Sequence, residues 1–348
     1  HRDLHSFPTR RSSDLMRIKA AEIELVMEKI LLNRGCPTAH AAKVAKEMTR
    51  NSLEGTYSHG INRFPRLVAQ IDEGLVDMGA EPLRMGGFGA LENYDGRQGL
   101  GIVNAWICME RAIDLASIHG IGYVALRNTN HWLRAATYGY QACARGMAGI
   151  CFSNTYTNMP AWGAKDVRLG NNPLVFAFPY RNGDILVDMA MSQYSYGSLE
   201  VAVLEGKRMP TAAGFDVRGN LTDDPKAVLE SKRLLPAGFW KGSALSFGLD
   251  VFAAAVSLGD TVQAIGKKGS GERDLCQTFV AINFAAVAPG EKVEAIVRGA
   301  VEDLLASTPD GGPDPVVYPG QRMRATRDEN LAKGIPVDAR VWKEILAL

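Results

Sequence analysis

The chain is poor in the features that mark several large protein classes. It holds five cysteines, Cys36, Cys108, Cys143, Cys151 and Cys276, none in a CxxC pair. So small and scattered a set excludes a disulfide scaffold and a zinc ribbon, and suits reduced thiols in a cytoplasmic protein. No apolar run approaches the roughly 18 residues that span a bilayer, so no membrane partner is expected. Neither sign of charge is in excess: the formal net charge is +1, which leaves no field to draw nucleic acid. No G-x-G-x-x-G stretch follows a strand with an acidic residue some twenty positions on, and Walker A, HExxH and GxSxG are missing too. Ordinary Rossmann, P-loop, zincin and α/β-hydrolase readings lose their support.

What remains is a 348-residue chain with 46% hydrophobic and 22% charged residues, ample for a large core and one or two domains. The first fifteen residues, HRDLHSFPTRRSSDL, are polar, basic and without period. They read as a non-native leader, with Met16 as the natural start, and leave His40, His59, His119 and His131 to explain. From Met16 onward, Ile18, Ile23, Val26, Met27, Ile30 and Leu31 recur at helical spacing. Gly35 stops that helix, Thr38 is placed to cap a second one through about Asn51, and Pro65 suits the first turn of a third. After about Gly79 short apolar runs alternate with helices. Strands are expected at Gly122–Leu126, Gly149–Ser153, Leu174–Phe178, Ile185–Ala190 and Thr278–Ile282. Helices are expected at Ala105–His119, Tyr138–Arg145, Leu245–Leu258, Val293–Leu305, from about Thr326 and from Asp338. Gly266 to Gly271 reads as a charged turn. The expected fold class is α/β, with helices before and after. The divisions are 1–15 leader, 16–80 helical domain, 81–308 α/β domain, and 309–348 C-terminal helices returning to the helical domain.

Five stretches put polar or small residues where chemistry could use them. Tyr57 to Arg66 sets His59, which can exchange protons near neutral pH, four residues before Arg63, which can hold a carboxylate. Ser58 adds a hydroxyl, and Gly60 would let a ligand approach the backbone. Leu126 to Trp132 brings Asn130 and His131 to the end of a strand, where a structural network explains them as well as a substrate site does. Asn158–Lys165 with Leu169–Pro173 forms loops that could present N–H groups to an anion, or simply turn. Val187 to Ser192 ends a strand on Asp188, able to accept from ribose hydroxyls, orient a histidine or cap a helix. Leu235 to Ser243 opens a helix with Lys241, a seat for pyrophosphate or an exposed capping turn.

In this order, YSHG…R, NxNHW, PxWGAK…GNP, VDMxMS and LPxGxWKG, the motifs resemble those of the malate/L-lactate dehydrogenase-like oxidoreductases, from Met16 to the C-terminus. The resemblance implies a non-Rossmann nicotinamide-binding domain, a helical domain packed on it, and a homodimer. It implies reduction of a small keto acid, 2,3-diketo-L-gulonate to 3-dehydro-L-gulonate by the wording of the motifs. Malate, lactate, sulfolactate, ureidoglycolate and cyclic imino acids stand as alternatives, and a non-catalytic ligand-binding protein as a more distant one. By the resemblance His59 is the proton donor. Around it, Arg63 is expected to grip the substrate carboxylate with Ser58 and Asn130 aiding orientation, His131 to polarise the carbonyl or bind a hydroxyl, and Asp188 to hold either His59 or the nicotinamide ribose. The cofactor would lie on Asp184, Ile185, Leu186, Val187, Asp188, Met189 and Ala190, on Trp240 and Lys241, and on Gly320, Gln321 and Arg322. Gln321 and Arg322 depart from the related pattern, which leaves NADPH open beside the expected NADH. No metal is expected.

Overall fold

The computed structural model describes residues 15–204, 206–269, 271–312 and 314–348. It opens with strand β1 (Leu15–Ile18), helices α1 (Ala20–Asn33) and α2 (Thr38–Leu53), and two 3-10 turns, Tyr57–His59 and Ile61–Arg63. Helix α3 (Phe64–Asp72) follows with Pro65 in its first turn. Two expectations need correction. Met16 and Ile18 are strand, because an antiparallel partner near the C-terminus outweighs a spacing that also fitted a helix. Thr38 does not cap α2: extended Pro37 holds the N-cap position, and Thr38 is already helical. Of the expected leader, only Leu15 lies within the described residues, where it opens β1.

The chain then runs through β2 (Leu83–Phe88), β3 (Leu91–Asp95), α4 (Gly101–His119), β4 (Ile121–Thr129), α5 (Ala136–Cys143) and β5 (Ala148–Ser153). Short strands β6 (Met159–Pro160) and β7 (Val167–Leu169) lead to β8 (Leu174–Phe178), β9 (Ile185–Met189) and α6 (Tyr196–Leu204). After β10 (Gly214–Phe215), β11 (Leu221–Thr222) and α7 (Pro225–Ser231) come α8 (Trp240–Ser257), α9 (Val262–Lys268), β12 (Leu275–Ile282) and α10 (Gly290–Leu305). Helix α11 (Gln321–Lys333), strand β13 (Ile335–Asp338) and helix α12 (Ala339–Leu346) complete it. The expected charged turn at Gly266 is helical as far as Lys268, with left-handed Gly269 as its C-cap.

Seven strands form one sheet in the order β2-β3-β4-β12-β5-β8-β9. β3 and β4, joined through α4, are parallel, and every other neighbouring pair in this sheet is antiparallel. A sheet so connected has no switch point between two parallel halves, which is why no dinucleotide fingerprint appears. Central β12 is buried on both faces. Phe279 and Ala281 point into a core with α4 and α5, and Cys276 points into a second core with α8, the two-residue alternation of a strand. A third core joins α1, α2 and α3 to Ile335, Val337, Trp342 and Ile345, so both ends of the chain build the helical part. The fold is α/β, a helical part packed on a non-Rossmann sheet.

Candidate active site

The turn that carries His59 is clamped to α2. Asn51 Nδ2 donates to the His59 carbonyl at 2.9 Å, and the Ile61 N–H donates to Ser52 Oγ at 2.9 Å. A Cβ on Gly60 would come within 2.1 Å of Ser52 Oγ and 2.9 Å of the Met48 carbonyl. Glycine is therefore required for close packing against α2, which corrects the expectation that it admits a ligand. Ser58 Oγ lies 3.0 Å from His59 Nδ1 and fixes the ring.

His131 meets this turn from the sheet. The imidazoles of His59 and His131 stack with centroids 5.7 Å apart. The Leu133 N–H donates to His131 Nδ1 at 3.0 Å, so the neutral ring carries its proton on Nε2. Burial, assisted by Arg63 and Arg66 and opposed by Glu272, pushes the imidazole down to about 4. His131 is therefore uncharged near neutrality, a hydrogen-bond donor rather than an acid. Asn130 does not reach the cleft as expected. Its Nδ2 donates to the Gln98 and Gly99 carbonyls at 2.8 and 3.0 Å, and its own carbonyl accepts from Gln277 Nε2. It shapes the loop that presents His131.

Arg63 stands beside the histidines but not alone. It pairs with Glu272, from the segment before β12, and Arg66 Nη2 approaches the same Glu272 oxygen at 3.3 Å. Burial would raise the Glu272 carboxyl, but the charges of His131, Arg63 and Arg66 hold it down at about 2. With His131 neutral near pH 7, the two arginines do that work. Sequence reading missed Glu272; its signal was a carboxylate beside the glycines of a segment taken for a turn. Deeper in the wall, buried Arg134 pairs with buried Glu54, which also accepts from Arg50 at 3.1 Å. Asp188 Oδ2 accepts from the Ala136 N–H at 3.2 Å and lies 3.9 Å from Arg134 Nε.

These groups line a cleft of about 2000 Å³ that runs along β9. Leu186, Val187, Asp188, Met189 and Ala190 form one wall, and Gly320 and Arg322 face it. β9 is the outer strand of its sheet, so among the described residues one backbone edge has no neighbouring strand, though its Leu186 N–H donates to the Pro319 carbonyl at 2.9 Å. Gly320 has φ +99°, and a Cβ there would meet the Asp184 carbonyl at 2.6 Å, so the late loop sits directly on the strand. Ser192 Oγ and Asn158 Oδ1 line the cleft, buried and without a hydrogen-bond partner. An elongated cleft with a strand edge, unpaired polar atoms and arginines fits an anionic dinucleotide. Other expected cofactor residues lie off it. The Asp184 carboxylate accepts from the Tyr180 N–H and borders a separate cavity of about 360 Å³, which Ile185 does not line either. Gln321 accepts from the Tyr318 N–H, and Trp240 and Lys241 stand exposed at the start of α8, outside the cleft lining. Among the described residues no group of three His, Cys, Asp or Glu side chains could hold a metal.

Fold and site together define an α/β protein with a stacked histidine pair beside a large cleft. Residues 18–346 match the malate/L-lactate dehydrogenase family. Over 333 residues, 96% of this chain and the whole of each relative, it is 39% identical to the 2,3-diketo-L-gulonate reductase of Citrobacter koseri and 38% identical to that of Escherichia coli. Its structure is similar to malate dehydrogenase from Entamoeba histolytica, with TM-score 0.91, 26% identity and coverage of 96% and 97% of the two chains. It is also similar to sulfolactate dehydrogenase from Methanocaldococcus jannaschii, with TM-score 0.87, 26% identity and 95% coverage of each. The chain belongs to the malate/L-lactate dehydrogenase family. It is an oxidoreductase of CH–OH and keto groups, in a nicotinamide-dependent family.

Proposed function

We propose that this enzyme reduces 2,3-diketo-L-gulonate to 3-dehydro-L-gulonate with NADH. The observation that carries the reading is the stacked His59–His131 pair beside Arg63 and Arg66. Bound nicotinamide supplies the hydride; the side chains supply the proton and the geometry. His59, oriented by Ser58, donates the proton to the developing alkoxide. Neutral His131 donates its Nε2 hydrogen to a substrate oxygen and polarises it without competing as an acid. Arg63 and Arg66 receive the substrate carboxylate, and Asp188 accepts from the nicotinamide ribose. The names of the curated relatives support this substrate. Asp314 lies 3.4 Å from Arg322 Nη2 and compensates its charge, which favours NADH over a 2′-phosphorylated cofactor.

The same reading gives a homodimer. Along α8, Leu245, Phe247, Val251 and Phe252 are between 42% and 62% exposed, an apolar face that a soluble monomer rarely presents. A second copy covering α8 would also enclose Trp240 and Lys241. A cytoplasmic setting accords with five buried, unpaired cysteines. No single helix among the described residues is long and apolar enough to cross a membrane.

The test is the loss of nicotinamide absorbance with 2,3-diketo-L-gulonate and either NADH or NADPH, beside malate, lactate, ureidoglycolate and imino acids in the oxidising or reducing direction. Rapid NADH oxidation with the diketo acid is expected. Turnover confined to another substrate would discard the substrate assignment.

A further inference from the structure

Among the described residues Glu272 is the carboxylate that pairs with the arginines at the histidine pair, and it comes from a distant part of the chain. Arg63 and Arg66 sit three positions apart at the start of α3, while Glu272 lies 209 residues later, between α9 and β12. The segment that delivers it turns sharply, with φ +64° at Gly269, +65° at Gly271 and +59° at Asp274. Lys268 Nζ lies 3.5 Å from the Asp274 carboxylate and helps to pin that turn.

One Glu272 oxygen serves both guanidiniums. The Glu272 side chain is 8% exposed and that of Arg63 is 21% exposed, whereas Arg66 is 52% exposed. In this cluster two positive charges against one negative leave a single surplus positive charge, and the outer arginine, a cleft-lining residue, is about half-exposed. A lone surplus charge matches a monoanion. Beside these arginines a second carboxylate on the ligand would face Glu272 across a low-dielectric wall.

We propose that Glu272 is a positioning and specificity residue. It holds Arg63 in place and reserves Arg66 for the carboxylate of a monoanionic keto acid, at the expense of dicarboxylates. This deepens the proposed function and rests on its placement of the substrate carboxylate at the arginines.

The test is calorimetric titration of the NADH-loaded enzyme with oxamate, a monoanion, and tartronate, a dianion, which reads the charge pairing without turnover. Wild type is expected to bind oxamate about tenfold more tightly, roughly 1.4 kcal/mol. Glu272→Gln removes the compensating charge and should reverse that order, whereas Glu272→Asp should retain it. With 2,3-diketo-L-gulonate, Glu272→Gln should raise KM more than it lowers kcat. Should the Gln variant fail to fold, Arg66→Met, on a half-exposed side chain, should weaken oxamate binding about tenfold and leave NADH binding intact. Equal shifts for both ligands in Glu272→Gln, tighter tartronate binding by wild type, no oxamate binding, or an unaltered Arg66→Met would each overturn the proposal. Failure to turn over the diketo acid with the expected discrimination intact would remove the substrate assignment alone.

Discussion

The imidazole planes of His59 and His131 lie 22° apart, one ring carried on a turn clamped by α2 and the other on the loop after β4. Both are imidazoles, yet they suit different tasks, since burial keeps His131 neutral. His59→Asn should therefore lower turnover by about two orders of magnitude or more while the Kd for NADH stays nearly constant. Steady-state kinetics and a fluorescence titration check it, and unchanged turnover would falsify the assignment of His59 as proton donor.

Acid should destabilise the protein in two windows. His131 falls from an ordinary 6.5 to about 4, so between those values the unfolded state binds more protons than the folded one. The stability tied to neutral His131 is full above pH 6.5 and declines as pH falls toward 4. Glu272, lowered from 4.5 to about 2, contributes stability that is full above pH 4.5 and lost as pH falls through 2. Thermal melts across pH should show His131→Gln flattening the upper window and Glu272→Gln the lower one.

Glu54 and Arg134 are each 3% exposed, so breaking their pair strands a charge in the wall of the cleft. Glu54→Gln should cost about 3–5 kcal/mol in urea unfolding. The double variant Glu54→Leu/Arg134→Met should recover much of that loss, because no buried charge is left over.

Gly60→Ala should cost about 1–3 kcal/mol, from a methyl group forced against Ser52 and the α2 backbone. Because His59 is the preceding residue, turnover should fall with it. Melting temperature and kinetics on one preparation would show whether the two losses travel together.

Phe252→Glu, on the exposed face of α8, should convert the proposed homodimer to monomer with little loss of secondary structure. Sedimentation velocity reads the outcome. An unchanged sedimentation coefficient would place the interface elsewhere or remove it.

The site was legible where chemistry sits in a short stretch. His59, Ser58 and Arg63 fall within six residues, and Asp188 closes a strand whose apolar run is plain. Asn130 misled because an amide at a strand end satisfies backbone carbonyls as readily as a ligand, and sequence does not say which. Glu272 was missed because its partners lie across the chain, and a carboxylate just after a glycine-rich stretch resembles any solvated turn. The same limit applies to the fold. Central β12 shows as a buried run, whereas β2, with two glycines and largely exposed side chains, carries no alternation to read. β1 shared its spacing with a helix until β13 supplied its partner.

The pairing of β1 with β13 also sets an order of events. Arg17 donates to the Gly334 carbonyl across 317 positions, and the core around α1 and α2 lacks Ile335, Val337, Trp342 and Ile345 until those residues exist. On the ribosome, the helices synthesised first should thus be the last to finish packing. The turn bearing His59 is clamped to α2, so it should settle with them, after the sheet that faces it. Nascent chains halted before Ile335 should leave α1 and α2 open to protease while β4, β12 and β5 are already protected.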